Sequence, residues 1–216
     1  MALKYAPRPV AAAPFGMALG GGCEIVLAAR RVQAAAETYM GLVEAGVGLI
    51  PAGGGCKEML LRLGDAKRAF DLIGAGTVSE SAAHARELGF LRPSDGITMN
   101  RERLLADAKS AALAAVSSWS PGVPRADIPV DGEAGYAQLK MGLILAREGE
   151  YLTDHDVVVG EKLAEILSGG RCVGKRVVTE QHLLDLERES FLSLCGNPKT
   201  QERMQYMLKN GKPLRN

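Results

Sequence analysis

The sequence predicts an α/β core followed by a helical region. Short apolar segments and glycine-rich loops fill residues 1–116, whereas residues 136–216 show helical patterning. The apolar fraction of 47% is ordinary for a globular protein with a hydrophobic core. We therefore expect a core at 1–116, a linker or excursion at 117–135 and a helical C-terminal region at 136–216.

The charge and cysteine content exclude several classes of protein. The net charge is +1, with both signs interspersed, and aromatic residues make up 5%. The sequence therefore lacks the basic stripe and the stacking platform of a nucleic-acid-binding protein. None of the four cysteines belongs to a C-x-x-C pair, which disfavours a zinc site and predicts free thiols in a reducing cytoplasm. A triple glycine and the ionisable Glu24 interrupt the apolar stretch 10–29, so no membrane span is predicted.

The N-terminal elements follow from apolar runs bounded by proline and glycine. A strand entered through a proline is predicted at 8–13, and a turn follows at 14–16. Small apolar residues at 23–29 suit a helix packed on all sides. Two further short strands are predicted at 32–35 and 38–40.

A glycine-rich stretch at 41–56 comes next, and it predicts a long loop of the kind that carries function. Helices are predicted at 57–63 and 66–73, each followed by a glycine suited to a helix C-terminus. Thr77 and Glu80 have the spacing of a capping box for a helix that runs to residue 88.

The remaining elements are predicted to be helical. Residues 101–116 are rich in alanine, and the linker at 117–135 holds three prolines and three glycines. Asn197 and Pro198 supply an N-cap and a first-turn proline. The C-terminal helices are predicted at 136–147, 156–167, 179–194 and 198–209.

One glycine block has the character of a ligand site. Gly20, Gly21 and Gly22 lie at a predicted strand-to-helix junction, where glycine lets a ligand approach the backbone and the helix start offers free N–H groups. A thioester oxygen that gains negative charge is a suitable guest. Glu24 follows Gly21 by three residues and so shares its helix face.

A second carboxylate, Glu44, lies in the glycine-rich loop at 41–56. An apolar setting raises the pKa of a carboxyl group, and two carboxyls in one dry pocket can divide into an acid and a base. Addition of water to an activated double bond needs both functions. Taken alone, a triple glycine is often only a tight turn, and a lone glutamate in a loop is usually solvated.

The longer sequence motifs around these residues are more specific than a triple glycine or a lone glutamate. Residues 15–24, Phe-Gly-Met-Ala-Leu-Gly-Gly-Gly-Cys-Glu, resemble the signature of the crotonase superfamily. Residues 48–54 are similar to the second signature of its enoyl-CoA hydratases, and residues 79–91 to a third block. The C-terminal residues resemble the family's last helices, which cap the site and help the subunits to oligomerise.

The resemblance implies a crotonase-like core, a ββα spiral, and specific roles for five residues. It implies that the N–H of Gly21 donates to the thioester oxygen, with Gly22 and Ala52 also at the substrate. It implies that Glu24 and Glu44 together handle the water and the α-proton. The presence of both carboxylates favours an enoyl-CoA hydratase, which forms a 3-hydroxyacyl-CoA. No metal or redox cofactor is implied, and coenzyme A is part of the substrate.

The sequence departs from the family pattern at its start, where a complete crotonase domain has further residues. We therefore expect an N-terminally incomplete domain that resembles the C-terminal hydratase region of a multifunctional 3-hydroxyacyl-CoA dehydrogenase/enoyl-CoA hydratase of fatty-acid β-oxidation. No dinucleotide fingerprint is present, so no dehydrogenase activity is expected in this chain. The partners expected are an acyl-CoA and either a second copy or the upstream part. The alternatives are a Δ3-Δ2 enoyl-CoA isomerase and an inactive fragment or assembly module.

Other chemically reactive side chains are expected to be structural. Neither a serine nor an aspartate partner pattern accompanies His84, His155 or His182, and Trp119 is expected to anchor packing. The basic tail is expected to be a solvated helix face, with contact to CoA phosphates as the sharper hypothesis. Its members are Lys199, Arg203, Lys209, Lys212 and Arg215.

Overall fold

The computed structural model describes residues 1–216. The strands are β1 Ala11–Ala12, β2 Gly16–Leu19, β3 Arg31–Ala35, β4 Thr38–Gly41, β5 Gly96–Thr98, β6 Ile128–Val130 and β7 Arg176–Val178. The α-helices are α1 Gly21–Ala28, α2 Gly55–Leu63, α3 Ala66–Gly74, α4 Ala82–Leu88, α5 Leu104–Ala114, α6 Gly132–Glu148, α7 Asp154–Leu167, α8 Glu180–Cys195 and α9 Pro198–Asn210. Single 3-10 turns lie at Glu44–Val47, Arg101–Arg103 and Val116–Ser118.

The contacts divide the chain into two compact units. The first unit comprises residues 1–42 and 78–124, and the second comprises residues 43–77 and 125–216. The segment 43–77 therefore packs with the C-terminal helices, although it lies early in the chain. The division into 1–116, 117–135 and 136–216 stays a prediction.

The first unit is built on parallel strands. β1, β3 and β5 form a three-stranded parallel sheet, and β2 pairs with β4 in a two-stranded parallel sheet. α5 packs on β3 and β1, and α4 packs on β4. Trp119 donates from Nε1 to the carbonyl of Ala6 at 3.1 Å, and the Arg30 guanidinium lies 4.8 Å from its ring centre. Trp119 is thus a packing anchor, as expected.

The second unit is mainly helical. α7 packs against α6, α8, α2 and α3 and is therefore central to this unit. α6 and α7 approach closely at Gly160, where an added Cβ would lie 2.5 Å from Cδ2 of Leu143. The buried face of α7 repeats at helical spacing, with Val159, Leu163 and Leu167 all buried.

The fold differs from the sequence-based expectations in three places. The strand expected at 8–13 shortens to β1, and β2, which was not predicted, begins at Gly16 within the turn expected at 14–16. The linker at 117–135 contains β6 and the start of α6, and the supposedly all-helical region contains β7, which pairs antiparallel with β6. The Thr77–Glu80 capping box is wrong, because α4 begins at 82 and is capped by Ser81. No helix of the chain combines the length and the apolar character that crossing a membrane requires.

Candidate functional site

The junction between β2 and α1 is shaped by Gly20. Its amide donates to the carbonyl of Gly41 at 2.9 Å, which continues the pairing of β2 with β4. Its backbone then turns with φ 55° and ψ −129°, a conformation that a side chain would strain. Because α1 begins at the next residue, the strand leads directly into the helix with no intervening loop.

The first turn of α1 has an open backbone. Gly20, at the N-cap position, supplies no side-chain cap. The amides of Gly21 and Gly22 lie in the first turn, where a helix has no carbonyl to accept from them. An added Cβ at either glycine would meet nothing within 4 Å, so no other part of the chain packs against these two Cα atoms on that side. Such a turn can bind an anion or a developing oxyanion.

Glu24 belongs to the same turn and is half-buried. Its amide donates to the carbonyl of Gly20 at 3.0 Å, which forms the first bond of the helical ladder. A carboxylate at this end of a helix is favoured by the helix dipole. The structure therefore brings Gly21, Gly22 and Glu24 together on one turn of the first unit.

Glu44 opens the short 3-10 turn of the second unit and is half-buried. The turn closes through two bonds, from the Gly48 amide to the Ala45 carbonyl at 3.0 Å and from the Leu49 amide to the Glu44 carbonyl at 3.1 Å. Gly48 ends it with φ 77°. The stretch predicted as a loop thus holds an ordered turn at the position of the candidate carboxylate.

Ala52 lies in the irregular stretch that leads into α2 and is half-buried. The N-terminus of α2 is occupied by a protein carboxylate, because Glu187 accepts from the amides of Gly54 at 2.8 Å and Lys57 at 2.7 Å. Glu187 thus replaces the side-chain cap that Gly54 lacks. This residue was not predicted from the sequence, although a charge on the buried face of α8 was a usable signal.

A buried charged cluster adjoins this helix start. Lys57, 3% exposed, places Nζ 2.5 Å from Glu58 Oε1 and 2.9 Å from Glu180 Oε2. Burial lowers the pKa of Lys57, but Glu58 and Glu180 raise it by more, so the pKa lies above its usual value and the amine stays charged. Glu180 also accepts from the amide of Arg125 at 3.1 Å. The cluster joins α2 to α8 within the second unit.

The tail does not present a uniform basic face. Arg203 is 2% exposed and pairs with Asp156 at 2.7 Å, so the expectation of a solvated or phosphate-binding residue is wrong there. It also donates to Thr153 Oγ1 at 3.1 Å. Among the other basic residues of the tail, Arg215 donates to the carbonyl of Tyr151 at 2.7 Å, and Lys199 is exposed.

The histidines make structural hydrogen bonds within their own units. Nδ1 of His84 accepts from the Glu80 amide at 3.2 Å, and Nε2 of His182 lies 3.0 Å from the Gly169 carbonyl. His155 is buried and bonds to Thr200. No group of three or more histidine, cysteine, aspartate and glutamate side chains is arranged to hold a metal ion.

Comparison with known proteins gives both relatives and structural neighbours. No family model matches the chain. It is 46% identical over 225 residues to the "Probable 3-hydroxyacyl-CoA dehydrogenase" of Bacillus subtilis, covering all of this chain and 28% of that protein. It is 40% identical over 108 residues to the mitochondrial "Enoyl-CoA hydratase domain-containing protein 2" of Mus musculus, covering 50% of this chain and 35% of that protein. The chain thus spans about a third or less of each relative.

Solved structures match over most of the chain. An enoyl-CoA hydratase from Mycobacterium avium subsp. paratuberculosis superposes on the whole chain with a TM-score of 0.61 and 19% identity, covering 68% of that protein. A carnitinyl-CoA hydratase from Mycobacterium avium covers 95% of this chain and 62% of its own, with a TM-score of 0.59 and 19% identity. At such identities the likeness concerns the fold.

Proposed function

We propose, from the crotonase-like fold that this chain shares with solved enoyl-CoA hydratases, that it is the enoyl-CoA hydratase region of a fatty-acid β-oxidation enzyme. The fold itself is as the sequence predicted, a mixed α/β arrangement of the crotonase type. The observation that carries the functional proposal is the open first turn of α1, where two glycine amides and Glu24 stand together.

The proposed role of this turn is to polarise the substrate. The amide of Gly21 donates to the thioester oxygen of a trans-2-enoyl-CoA, and Gly22 and Ala52 line the same substrate. Donors fixed in advance stabilise the enolate oxygen as it gains charge, which can contribute about 3–4 kcal/mol for each donor. Withdrawal of electrons through the thioester makes the β-carbon of the double bond electrophilic.

Glu24 and Glu44 are proposed to divide the proton transfers. As the water oxygen bonds to the β-carbon, one carboxylate takes a proton from the water. The other group, present as the carboxylic acid, gives a proton to the α-carbon, and the π-bond is lost. The sum is one water added to give a 3-hydroxyacyl-CoA, with the two protonation states exchanged between the carboxyls and restored before the next turnover.

The remaining expectations belong to the same proposal. The chain acts without a metal or redox cofactor, and coenzyme A enters as part of the substrate. The protein works in the cytoplasm as an oligomer or in association with further residues of the fold. The name of one relative supports the pathway, since it is called a "Probable 3-hydroxyacyl-CoA dehydrogenase" and a 3-hydroxyacyl-CoA is the product of hydration.

The test is hydration of crotonyl-CoA, followed by the loss of its enone absorbance, with the purified chain and three variants. Glu24→Gln and Glu44→Gln remove one proton-transfer group each, and we expect each to lower kcat at least about a hundredfold. Glu37→Gln, at an exposed glutamate between β3 and β4, is the matched control and should keep the wild-type rate.

The outcomes separate the rival functions. An isomerase that needs one carboxylate would lose hydration but keep double-bond migration in Glu24→Gln. A chain that neither binds acyl-CoA nor hydrates it would be an assembly module, and the proposed function would be wrong. A wild-type rate in Glu44→Gln would remove that residue from the chemistry.

A further inference from the structure

A buried polar line connects two C-terminal helices to the turn that carries Glu44. Thr200 on α9 is fully buried, and its Oγ1 lies 2.9 Å from the carbonyl oxygen of Gly48. The same hydroxyl lies 2.9 Å from Nε2 of His155 on α7. All three residues belong to the second unit, as does Glu44. The line ends on the residue that closes the Glu44 turn.

The direction of each hydrogen bond follows from the available protons. A carbonyl only accepts, so Thr200 donates its single hydroxyl hydrogen to Gly48. The bond to His155 must then run from Nε2–H to the hydroxyl oxygen, which fixes the histidine tautomer. Burial, followed by Arg203 and Lys199, lowers the pKa of His155, so the neutral ring is favoured.

Packing around Gly48 leaves little room for a side chain. An added Cβ would lie 3.0 Å from both His155 Nε2 and Thr200 Oγ1, and 3.2 Å from Arg203 Cδ. The backbone at Gly48 also has φ 77°, which favours glycine. Side chains of α7 and α9 therefore lie directly against the main chain of the turn. A shift of Thr200 would move the backbone at Gly48, and with it the backbone of the turn that carries Glu44.

The residue that completes this packing is itself held in place. Arg203 donates from Nη1 to Asp156 at 2.7 Å and from Nη2 to Thr153 Oγ1 at 3.1 Å, both at the start of α7. Its Nε donates to Asn216 Oδ1 at 2.8 Å. α9 is thus fastened to α7 on one side and to the C-terminal residue on the other.

We propose that Thr200 is a positioning residue for Glu44, holding the 44–48 turn through the Gly48 carbonyl while His155 orients its hydroxyl. The inference rests on the proposed function, in which Glu44 moves a proton. The physical reason is that a loop carboxylate gains a fixed direction only if its backbone is fixed, and the backbone hydrogen bonds that close this turn run between residues 43 and 49.

Hydrogen exchange tests the inference without requiring activity. Thr200→Val keeps the side-chain shape and removes the hydroxyl, so we expect the amides of residues 43–49 to exchange about tenfold faster than in the wild type. Thr200→Ser should restore slow exchange. The matched control is Thr77→Val in the same unit, since it removes a hydroxyl that lies outside the 44–48 turn and outside the bonds that join Thr200 to Gly48 and His155. Unchanged exchange at 43–49 in a folded Thr200→Val chain would overturn the proposal.

A measurement on the wild type covers the case in which Thr200→Val fails to fold. Nitrogen chemical shifts of the His155 ring should report a proton on Nε2 and none on Nδ1. The opposite tautomer would contradict the bond directions on which the proposal depends.

Kinetics then connect the turn to the chemistry. In Thr200→Val we expect kcat for crotonyl-CoA hydration to fall with little change in KM, and Thr200→Ser to recover it, because substrate binding does not use this hydroxyl. Equal kcat values in Thr200→Val and the wild type would refute the positioning role. An inactive wild type would instead refute the proposed function, and the exchange data would still decide whether Thr200 holds the turn.

Discussion

Gly20 shows how much the immediate sequence context of one residue can determine. The triple glycine predicted a turn into a helix, and the structure places the one strained glycine at the N-cap with the two others in the first turn of α1. This prediction succeeded because the geometry is local: a positive φ next to a helix start depends on adjacent residues. The proton-transfer role of Glu24 is not local and stays a prediction.

His155 shows the opposite case. Nothing in its sequence neighbours predicts a bond to Thr200, forty-five positions away, and its burial results from packing between helices. The expectation that it is structural rested on the absence of a catalytic pattern. Its position beside Gly48 gives it a specific structural task that only the tertiary contacts define.

The lowered pKa of His155 predicts a pH-dependent stability. Below pH 6.5, the ordinary pKa of histidine, His155 binds a proton in the unfolded chain but stays neutral in the folded chain until lower pH. The unfolded state therefore binds more protons, and the free energy of unfolding falls as the pH decreases. We expect the urea midpoint to drop between about pH 7.5 and about pH 5.5, and to drop less in His155→Gln, which cannot titrate but can still donate to Thr200.

Asp156 does not contribute to the pH dependence expected between about pH 7.5 and about pH 5.5. Burial raises the pKa of Asp156, but bonds from Thr153 and Arg203 lower it by more, so it lies below the ordinary value of 3.8. Its contribution to stability is present above that value and is lost only in stronger acid. Equal pH sensitivity in the wild type and His155→Gln would contradict the account of His155.

At the scale of elements, helix interiors were more predictable than helix starts. The predicted C-terminal helices all exist and begin or end within four residues of the expected positions. α6 begins four residues early because the Gly132 amide donates to the Ser168 carbonyl at 3.0 Å and the Glu133 amide to the Cys172 carbonyl at 2.8 Å. Such bonds come from distant residues, which periodicity does not report.

The start of α4 provides a direct test of this point. Ser81 accepts from the amide of His84 at 3.1 Å, whereas the predicted cap, Thr77, lies outside the helix. We expect Ser81→Ala to lower the free energy of unfolding by about 1 kcal/mol, as measured by urea titration, and Thr77→Ala to leave the helix start intact. If Thr77→Ala were the more destabilising change, the sequence-based capping box would be correct.

The contact between α2 and α8 should depend on Lys57. Lys57→Met removes the cation that Glu58 and Glu180 both contact in a buried setting, and we expect a loss of about 3–5 kcal/mol in unfolding free energy. The matched control is Lys67→Met, whose pair with Asp71 is exposed and should matter little. Similar losses of unfolding free energy in the two variants would mean that burial does not make the ion pairs of Lys57 more important than an exposed pair.

The β6–β7 pair explains why the prediction of an all-helical C-terminal region was wrong. Each strand has three residues, and they are 46 positions apart when counted from Val130 to Arg176. Pro129 occupies the middle of β6, and a proline at that place disfavours a strand when only the sequence is considered. β6 tolerates that proline because it pairs only with β7. The edge of β6 that faces away from β7 donates no hydrogen bond to a further strand.

At the scale of the whole molecule, the sequence predicted the class of fold but not how its segments associate. Motif spacing indicated the crotonase-like fold, which the solved structures share. That residues 43–77 pack with the C-terminal helices was not foreseen, because hydrophobic patterning marks which face is buried and not its partner. The contacts of the Glu44 turn with α7 and α9 are therefore tertiary features that no local pattern encodes.

We propose that this chain adds water to an enoyl-CoA, and an isotope experiment can follow the oxygen of that water into the product. Crotonyl-CoA is incubated with the chain in water labelled with heavy oxygen, and the product is analysed by mass spectrometry. We predict a 3-hydroxyacyl-CoA that carries the label, formed by the wild type and not by Glu44→Gln. Unchanged substrate, or a shifted double bond with no oxygen gained, would show that the chain is not a hydratase.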